Sequence, residues 1–453
     1  MIMKRIGLGV ILLFGLSWQA QALTLEEAVS GAVYASHGLK SAYAARDGAK
    51  AITEQAGHMR LPVLTYESSY SYGNDPVYVF GSLLRQKQFT AADFELDKLN
   101  SPSARSNFSN SLQLEVPVFT GFRISNYRRL GETALQQADA SAVYARQATA
   151  IEAMQKYFTA SFKWELARIA ADTAASTAQE LSVADKLKEK GLVLGSDYYA
   201  AQALLGSIKA VQSSLGREAQ AAASALNVLM GRPAGELREE LPFLKRHLYA
   251  LQEEGAMQES LARRGDLSSA DSAARSAKIL SDMERETLLP QLGAFARLQT
   301  DTQAFASNPL RQMAGVNLNF PFGDFTRQDR MARREAEHRQ ASESALHLRQ
   351  SASAQLAEYR RNYESVVAAL PLAEAARADA ERSLELFRPL FRQGRQSVLE
   401  VARAEQALMS ARAACAELVF KIHSYYAALL FVSGGLDDKA VSGLSAAVSG
   451  EKK

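Results

Sequence analysis

The sequence is a duplication of one long unit. The run Leu61–Leu64 returns as Leu289–Leu292, and the proline-centred run Val116–Phe119 returns as Phe320–Phe322. Four further pairs recur at a spacing of 203 residues: Gly191 with Gly394, Ala201 with Ala404, Leu205 with Leu408, and Gly231 with Gly434. The spacing is roughly 200 residues, far above the 20 to 50 residues of solenoid repeats. The chain is therefore predicted to be two copies of one large structural half.

The N-terminus has the pattern of an export signal. Lys4 and Arg5 precede the apolar run Ile6–Trp18, and Ala20–Ala22 has the small-x-small form of a cleavage site. This pattern predicts a signal peptide at residues 1–22 and export from the cytoplasm. The single cysteine, Cys415, cannot form an intramolecular disulfide and is expected to be a small buried side chain.

Charge and hydropathy argue against nucleic acid as a partner and against a transmembrane helix in the mature chain. The formal net charge is +3, and part of it lies in the predicted signal peptide, so nothing favours binding to nucleic acid. After the signal, no apolar run reaches the length of a transmembrane helix. If the mature chain enters a membrane, the sequence predicts that it does so through β-strands.

Strand patterns are few and lie around the repeated prolines. Apolar and polar residues alternate in Thr65–Tyr72, Ser111–Val118, Leu292–Leu298 and Val316–Phe322. A period of two is typical of strands. The third pattern is the weakest, because Phe295 falls on its polar side. Each half is predicted to hold one hairpin, at about 64–118 and about 292–322, with a long first loop (74–108) and a shorter second one (300–313).

Long helices account for most of the remainder. Residues 125–190 and 328–393 are rich in Ala, Glu, Arg and Gln and carry a heptad-like apolar seam. At about 1.5 Å per residue, each helix would extend about 100 Å. Pro371 and Pro389 predict a kink or a short break in the second helix.

A glycine turn ends each long helix, at Gly191 and Gly394. Glycine after an amphipathic run is typical of a left-handed C-cap, so the chain is expected to reverse there. Shorter return helices are predicted at about 197–229 and 400–432. The resulting organisation is a first repeat at 23–230, an equatorial connection at 231–254, a second repeat at 255–436 and a disordered tail at 437–453.

Four strands create a physical problem if they cross a membrane. Strands of about 8 to 10 residues are long enough to span a bilayer when tilted. An open four-stranded sheet would nevertheless leave backbone groups unpaired in hydrocarbon. The sequence therefore predicts a homo-oligomer whose copies share one barrel.

The order of these elements resembles the TolC family of outer-membrane efflux and secretion channels. The resemblance covers residues 23 to about 436 and is carried most specifically by Pro117–Arg123, Pro321–Arg327 and the paired glycine turns. It implies a mainly α-helical chain with a small transmembrane β part. It also implies a homotrimer with a shared twelve-stranded barrel in the outer-membrane lipid, and a helical tunnel in the periplasm. Such a channel is passive, and it receives cargo from a periplasmic adaptor and an inner-membrane pump, in tripartite efflux or type I secretion.

The resemblance also assigns roles to the turns. It implies that a periplasmic adaptor docks on the residues Gly191, Leu192, Val193, Gly394, Arg395 and Ser397. In the family the second turn reads Gly-x-Arg, whereas here Arg395 follows Gly394 directly, which puts the place of that contact in doubt. Leu192 and Val193 are expected to be exposed. The alternative, that both glycines serve only backbone geometry, stays open.

Acidic residues follow each turn. Asp197 and Glu400 stand six residues after Gly191 and Gly394. In the family, acids beyond the second turn surround the tunnel entrance and select cations, and Glu400 matches the first such position. Arg403 stands where a second acid would be expected and could pair with Glu400 across one helical turn. The alternative is that both acids favour helix N-termini only.

Other functional classes find less support. The six histidines do not cluster at metal-ligand spacing, and we identify no phosphate loop or nucleophile motif, so no enzyme, metal or cofactor is predicted. The rival hypothesis is a soluble periplasmic coiled-coil structural or adaptor protein. It would not need four two-faced strands bounded by aromatic residues, which are Tyr66, Tyr70, Tyr72, Phe119, Phe122, Phe320, Phe322 and Phe325. Such aromatic residues are typical of interfacial girdles. The cargo is not predicted by the sequence.

Overall fold

The computed structural model describes residues 22–235, 237, 240–304, 309–321 and 323–450. The predicted signal peptide lies outside these residues except for its last position, Ala22. The chain forms two compact units. Of the described residues, the helical unit takes in those up to Ala42, those within Ala142–Leu267 and those from Arg349 onward. The sheet unit takes in Tyr43–Ser141 and Ser268–Leu348.

The first repeat contains six α-helices and two strands. In chain order they are α1 (Leu25–Ala35), α2 (His37–His58), β1 (Val63–Gly73), α3 (Pro76–Arg85), α4 (Leu96–Asn100), β2 (Arg105–Phe119), α5 (Arg123–Glu189) and α6 (Gly195–Leu229). Local sequence explains the helix starts. Thr24 and Glu27 form a reciprocal capping box at α1. The Asp75 carboxylate accepts from the Tyr78 N–H at α3, and Pro76 occupies the first turn.

The second repeat follows the same order. Its elements are α7 (Glu254–Ser260), α8 (Gly265–Arg285), β3 (Gln291–Thr302), β4 (Leu310–Asn319), α9 (Arg327–Arg392) and α10 (Val398–Val432), and a last helix, α11 (Asp438–Ser449), ends the described chain. Each repeat thus has two helices, a hairpin, a long helix and a return helix. The predicted fold class, mainly helical with a small β part, is confirmed.

The four strands form one antiparallel sheet in the order β1-β2-β3-β4. β2 pairs with β3, so the sheet joins the two repeats, and one bulge lies between Pro117 and Phe119. Proline has no N–H for the ladder, which favours an irregularity there. The weak third pattern has a physical basis: the ring of Phe295 covers Gly315 on β4, where an added Cβ would lie 2.9 Å from it.

The sheet has one apolar and one polar face. The register places Leu64, Leu114, Ala296 and Ala314 in one row across the apolar face. The next row, on the opposite face, crosses Glu115 and Phe295. Other members of this polar face are Glu67, Ser109, Gln113, Arg297, Gln299, Asp301, Arg311, Asn317 and Asn319. Because neighbours in a strand alternate between faces, the pattern gives the sheet two different environments.

The C-terminal segment is a helix, so the predicted disordered tail is wrong for the residues described. The Asp437 carboxylate caps α11 by accepting from the Ala440 N–H, and Arg146 forms a double hydrogen bond with Asp438 at 2.8 Å. Three buried side chains, Val441, Leu444 and Val448, join the core with α1. Their steps of three and four residues are the helical signal that the small, polar composition concealed.

Pro371 and Pro389 do not break α9, which is assigned as helix through both residues. A short break is therefore wrong, and a kink at either proline stays a prediction. Leu370 and Phe391, beside the two prolines, are each about 1% exposed. Tertiary burial of these neighbours stabilises the helix against the missing N–H of each proline.

Among the described residues, one helix is long and apolar enough to cross a bilayer by length and composition. This is α10, and nearly half of its most apolar stretch is buried. A core helix satisfies the same criterion, and α10 contributes Val398, Val401, Ala427 and Leu429 to the cores of the helical unit. We therefore treat α10 as a core helix.

Candidate functional site

Two glycine turns of the same construction end the long helices of the helical unit. After α5, Gly191 has φ 73°, its N–H donates to the Lys188 carbonyl, and the Leu192 N–H donates to the Leu187 carbonyl at 2.9 Å. After α9, Gly394 has φ 71°. Its N–H donates to the Phe391 carbonyl, and the Arg395 N–H donates to the Leu390 carbonyl, each at 2.9 Å. Both are Schellman motifs, in which glycine adopts the left-handed conformation without a Cβ penalty.

Open space distinguishes these two turns from the turns that end the return helices. An added Cβ at Gly191 or Gly394 would meet no atom within 4 Å. At Gly231 it would lie 2.7 Å from the Ala35 Cβ, and at Gly434 it would lie 3.0 Å from the Arg264 nitrogen. The first pair of turns is therefore free on its outer side, whereas the second pair is packed.

The first turn exposes apolar side chains. Leu192 is 65% exposed and Leu194 is 70% exposed. Val193 is half-buried and packs on the core cluster that includes Leu205, Phe391 and Val398. The predicted exposure of Val193 is therefore wrong. Leu194, which we did not predict, supplies the second exposed apolar group, because neighbouring residues in an extended turn point in opposite directions.

The second turn is linked to the first by a side-chain hydrogen bond. The Ser397 hydroxyl donates to Asp197 Oδ2 at 2.6 Å, and the same hydroxyl accepts from the Leu399 N–H at the start of α10. Arg395 is exposed beside it. Asp197 lies in the first turn of α6. The structure thus brings Asp197 and Ser397 together.

Glu400 and Arg403 form an ion pair within α10. Arg403 Nη1 lies 2.7 Å from Glu400 Oε1, and both side chains are exposed, by 61% for Arg403 and 40% for Glu400. This is the pairing that the sequence suggested. It neutralises much of the charge that Glu400 would otherwise present.

A buried ionic network near these turns was not predicted. Arg388 contacts Glu405 Oε1 at 2.5 Å and approaches Glu180 Oε1 at 3.7 Å, while Arg392 contacts the same Glu180 oxygen at 3.0 Å. Both carboxylates are almost fully buried. The Ser176 hydroxyl also donates to Glu405. The network ties α5, α9 and α10 together.

A second polar group joins the end of α5 to the start of α6. Lys188 bonds Asp185 at 2.9 Å and lies 3.8 Å from the centre of the Tyr198 ring. The hydrogen bond to Lys188 lowers the pKa of Asp185, and the same bond raises the pKa of Lys188. Both groups are surface groups, so the contact orients side chains more than it stabilises the fold.

Most of the second repeat resembles a known protein family. The family model described as outer membrane efflux protein matches residues 256–435, from α7 to the turn after α10. This part of the second repeat is therefore similar to the outer membrane efflux protein family. This confirms the resemblance to TolC-type channels and the location in the outer membrane. No curated protein matches the sequence significantly.

Solved channels share the fold along nearly the whole chain. CusC aligns with TM-score 0.78 and 17% identity over 91% of this chain and 92% of its own. The outer membrane channel CmeC of Campylobacter jejuni aligns with TM-score 0.78 and 15% identity, over 96% of this chain and 94% of its own. VceC of Vibrio cholerae aligns with TM-score 0.77 and 18% identity, over 91% of this chain and 96% of its own. These structures extend the efflux-protein fold to the first repeat, which the family model does not cover.

Within this fold, aromatic residues border the sheet as the sequence predicts. Tyr66, Tyr70 and Tyr72 on β1 are 58% to 67% exposed. Phe119, the last residue of β2, meets Phe122 edge to face with ring centres 5.5 Å apart, and Phe325 is 93% exposed. Phe320 is also exposed, by 42%, and Phe322 lies outside the described residues. Their role as a membrane girdle stays a prediction.

Proposed function

We propose that this efflux-family chain is the passive exit duct of an export assembly in which a periplasmic adaptor and an inner-membrane pump supply cargo and energy. The observation that carries the proposal is the pair of free glycine turns, joined through Asp197 and Ser397. A chain built only as a structural coiled coil would not need two free turns with the same backbone hydrogen bonds, or exposed apolar residues beside the first of them.

The two-faced sheet supports a homotrimer. β1 and β4 are the edge strands of the sheet, and an unpaired edge is costly in hydrocarbon. Three copies would pair their edges into a barrel of twelve strands, with the apolar faces toward lipid. The polar face, with Glu67, Glu115 and Arg297, would then line a watery interior.

The free turns are the proposed docking surface for the adaptor. Exposed Leu192 and Leu194 offer apolar contacts of the kind that fit a groove between helices. Arg395 adds a positive charge at the second turn. We therefore expect the partner to present a helical hairpin with an apolar groove and an acidic rim.

A charge reversal tests this surface. Arg395→Glu should abolish efflux while trimer assembly and outer-membrane amounts stay normal. Arg217→Glu, the same change at an exposed position on α6, serves as the matched control and should export normally. Normal export by the Arg395 variant, measured as accumulation of a fluorescent dye in cells that lack other exit ducts, would refute docking at this turn.

A further inference from the structure

The long loop of the first hairpin is a folded structure. We call residues 74–104 the lid. It contains α3, a short 3-10 helix at Ala91–Phe94, and α4. Phe89 meets both Phe80 and Phe94 edge to face, with ring centres 5.0 Å apart in each case. The lid therefore has an aromatic cluster of its own, whereas only positions 303–309 separate β3 from β4.

A buried chain of amides fastens the lid to the sheet. The Gln86 side-chain nitrogen, at the end of α3, donates to Asn107 Oδ1 at 2.9 Å and to the Ser106 carbonyl at 3.0 Å. Asn107 in turn donates to Asp301 Oδ1 at 2.9 Å, and Asp301 also forms an ion pair with Arg311. Gln86 and Asn107 are each 4% exposed and Asp301 is 0% exposed. Polar groups buried to this extent hold one arrangement, because a lost partner would not be replaced by water.

Further contacts close the seam between lid and sheet. The Tyr78 hydroxyl of α3 donates to the Ser71 carbonyl of β1 at 2.8 Å. Arg105 Nε of β2 donates to Gln86 Oε1 at 3.0 Å. Val79 of α3 is buried. The lid is thus held against β1 and β2 as well as β3.

The face that receives the lid is the polar one. By the register of the sheet, Asp301 pairs with Ser109, and its neighbour Thr300 lies on the opposite face together with Leu298. Asn107 stands two residues from Ser109 and shares its face. The amide chain therefore runs across the face that carries Glu115 and Arg297, and away from the face assigned to lipid.

We propose that the lid closes the outward mouth of the channel, so that the exit is regulated at its outer end independently of the periplasmic turns. This inference rests on the proposed function, which makes the polar face the lumen wall. Each of three copies would bring one lid into the lumen. Exposed apolar groups on the lid, Val77, Leu84, Phe94 and Leu96, are available for the lids to meet one another. Passage of cargo then requires the lid to leave the Gln86 anchor.

The test measures access to the lumen from outside the cell. A reporter cysteine replaces Asn317, an exposed polar-face residue of β4, in a Cys415→Ala background. Intact cells receive a polyethylene-glycol maleimide too large for general porins. Labelling is compared for the native lid, for Gln86→Ala and for a lid whose residues 76–103 are replaced by a short Gly-Ser turn. Asn100→Ala, an exposed change at the end of α4, is the matched control.

The expected result is slow labelling with the native lid and with Asn100→Ala, and several-fold faster labelling with Gln86→Ala and with the shortened lid. Labelling at one rate for all four chains would overturn the inference. A separate cysteine at Asn100, on the lid surface, tests the underlying function: if the maleimide cannot reach it in intact cells, the loop does not face the exterior and the channel proposal itself fails.

Discussion

The buried pair of Arg388 and Glu405 offers the sharpest test of how the helical unit is stabilised. Arg388→Met removes the cation from a carboxylate that is 4% exposed and leaves it only the hydroxyl of Ser176. Removing one partner of a buried pair costs about 3 to 5 kcal/mol. Because the Arg388 side chain is itself 36% exposed, solvent screening reduces the expected cost to about 2 kcal/mol.

This loss is measurable as a shift in thermal unfolding. For a unit of this size, each kcal/mol lowers the midpoint by about 2 °C, so Arg388→Met should unfold about 4 °C below wild type. The assay is circular dichroism of the helical signal on purified protein at one fixed protein concentration, since assembly also stabilises. The double variant Arg388→Met, Glu405→Leu should recover most of the loss, because no buried charge remains unpaired. A double variant as unstable as Arg388→Met alone, or no destabilisation by Arg388→Met, would refute the reasoning.

Three further predictions concern stability and conduction. Gly434→Ala should destabilise the protein clearly more than Gly394→Ala. Both glycines have positive φ, but only Gly434 is crowded by neighbouring backbone atoms. Equal melting temperatures of the two variants would contradict this. His423 is buried and its pKa is lowered to about 4 by desolvation, so the unfolded chain binds a proton first as pH falls. Its contribution to stability is complete above about pH 6.5 and is lost progressively as the pH falls from there to about 4. His423→Phe should flatten urea-midpoint profiles in that window, and an unchanged slope would exclude this source. Finally, Arg403→Ala frees Glu400 and should raise cation selectivity in bilayer reversal potentials, while Glu400→Ala should lower it; no change in either variant would leave Glu400 a helix-start acid.

Patterns of short period made much of the fold predictable. The two-residue alternation in Ser111–Val118 marks β2, and the heptad-like seams mark α5 and α9. The pairing of β2 with β3 was not predictable in the same way, because it joins strands from different repeats. The helix α11 was missed because its composition of small residues outweighed the apolar spacing of Val441, Leu444 and Val448.

The site was predictable in its backbone and in one ion pair. Glycine after a long helix predicts a left-handed turn, and the intrahelical pair of Glu400 and Arg403 follows from spacing. The network of Glu180, Arg388 and Glu405 was not visible, because charges on a long helix normally indicate a solvated face. Burial of these side chains depends on the meeting of three helices, which no local pattern records.

The Gln86 anchor of the lid could not be predicted from the sequence for a related reason. Gln86, Asn107 and Asp301 come from a loop and from strands of two different repeats, and nothing in their own surroundings marks them as partners. The sequence therefore predicted the length of the first hairpin loop but not its fold. The same holds for Leu194, whose exposure is set by the direction of the turn.

The central claim is that three copies share one membrane barrel. The most direct test is the native mass of the mature protein extracted from outer membranes in mild detergent, corrected for bound detergent. The account predicts a stable species of three chains. A monomer or dimer recovered from the soluble periplasmic fraction would contradict it, because the four strands would then not be membrane strands.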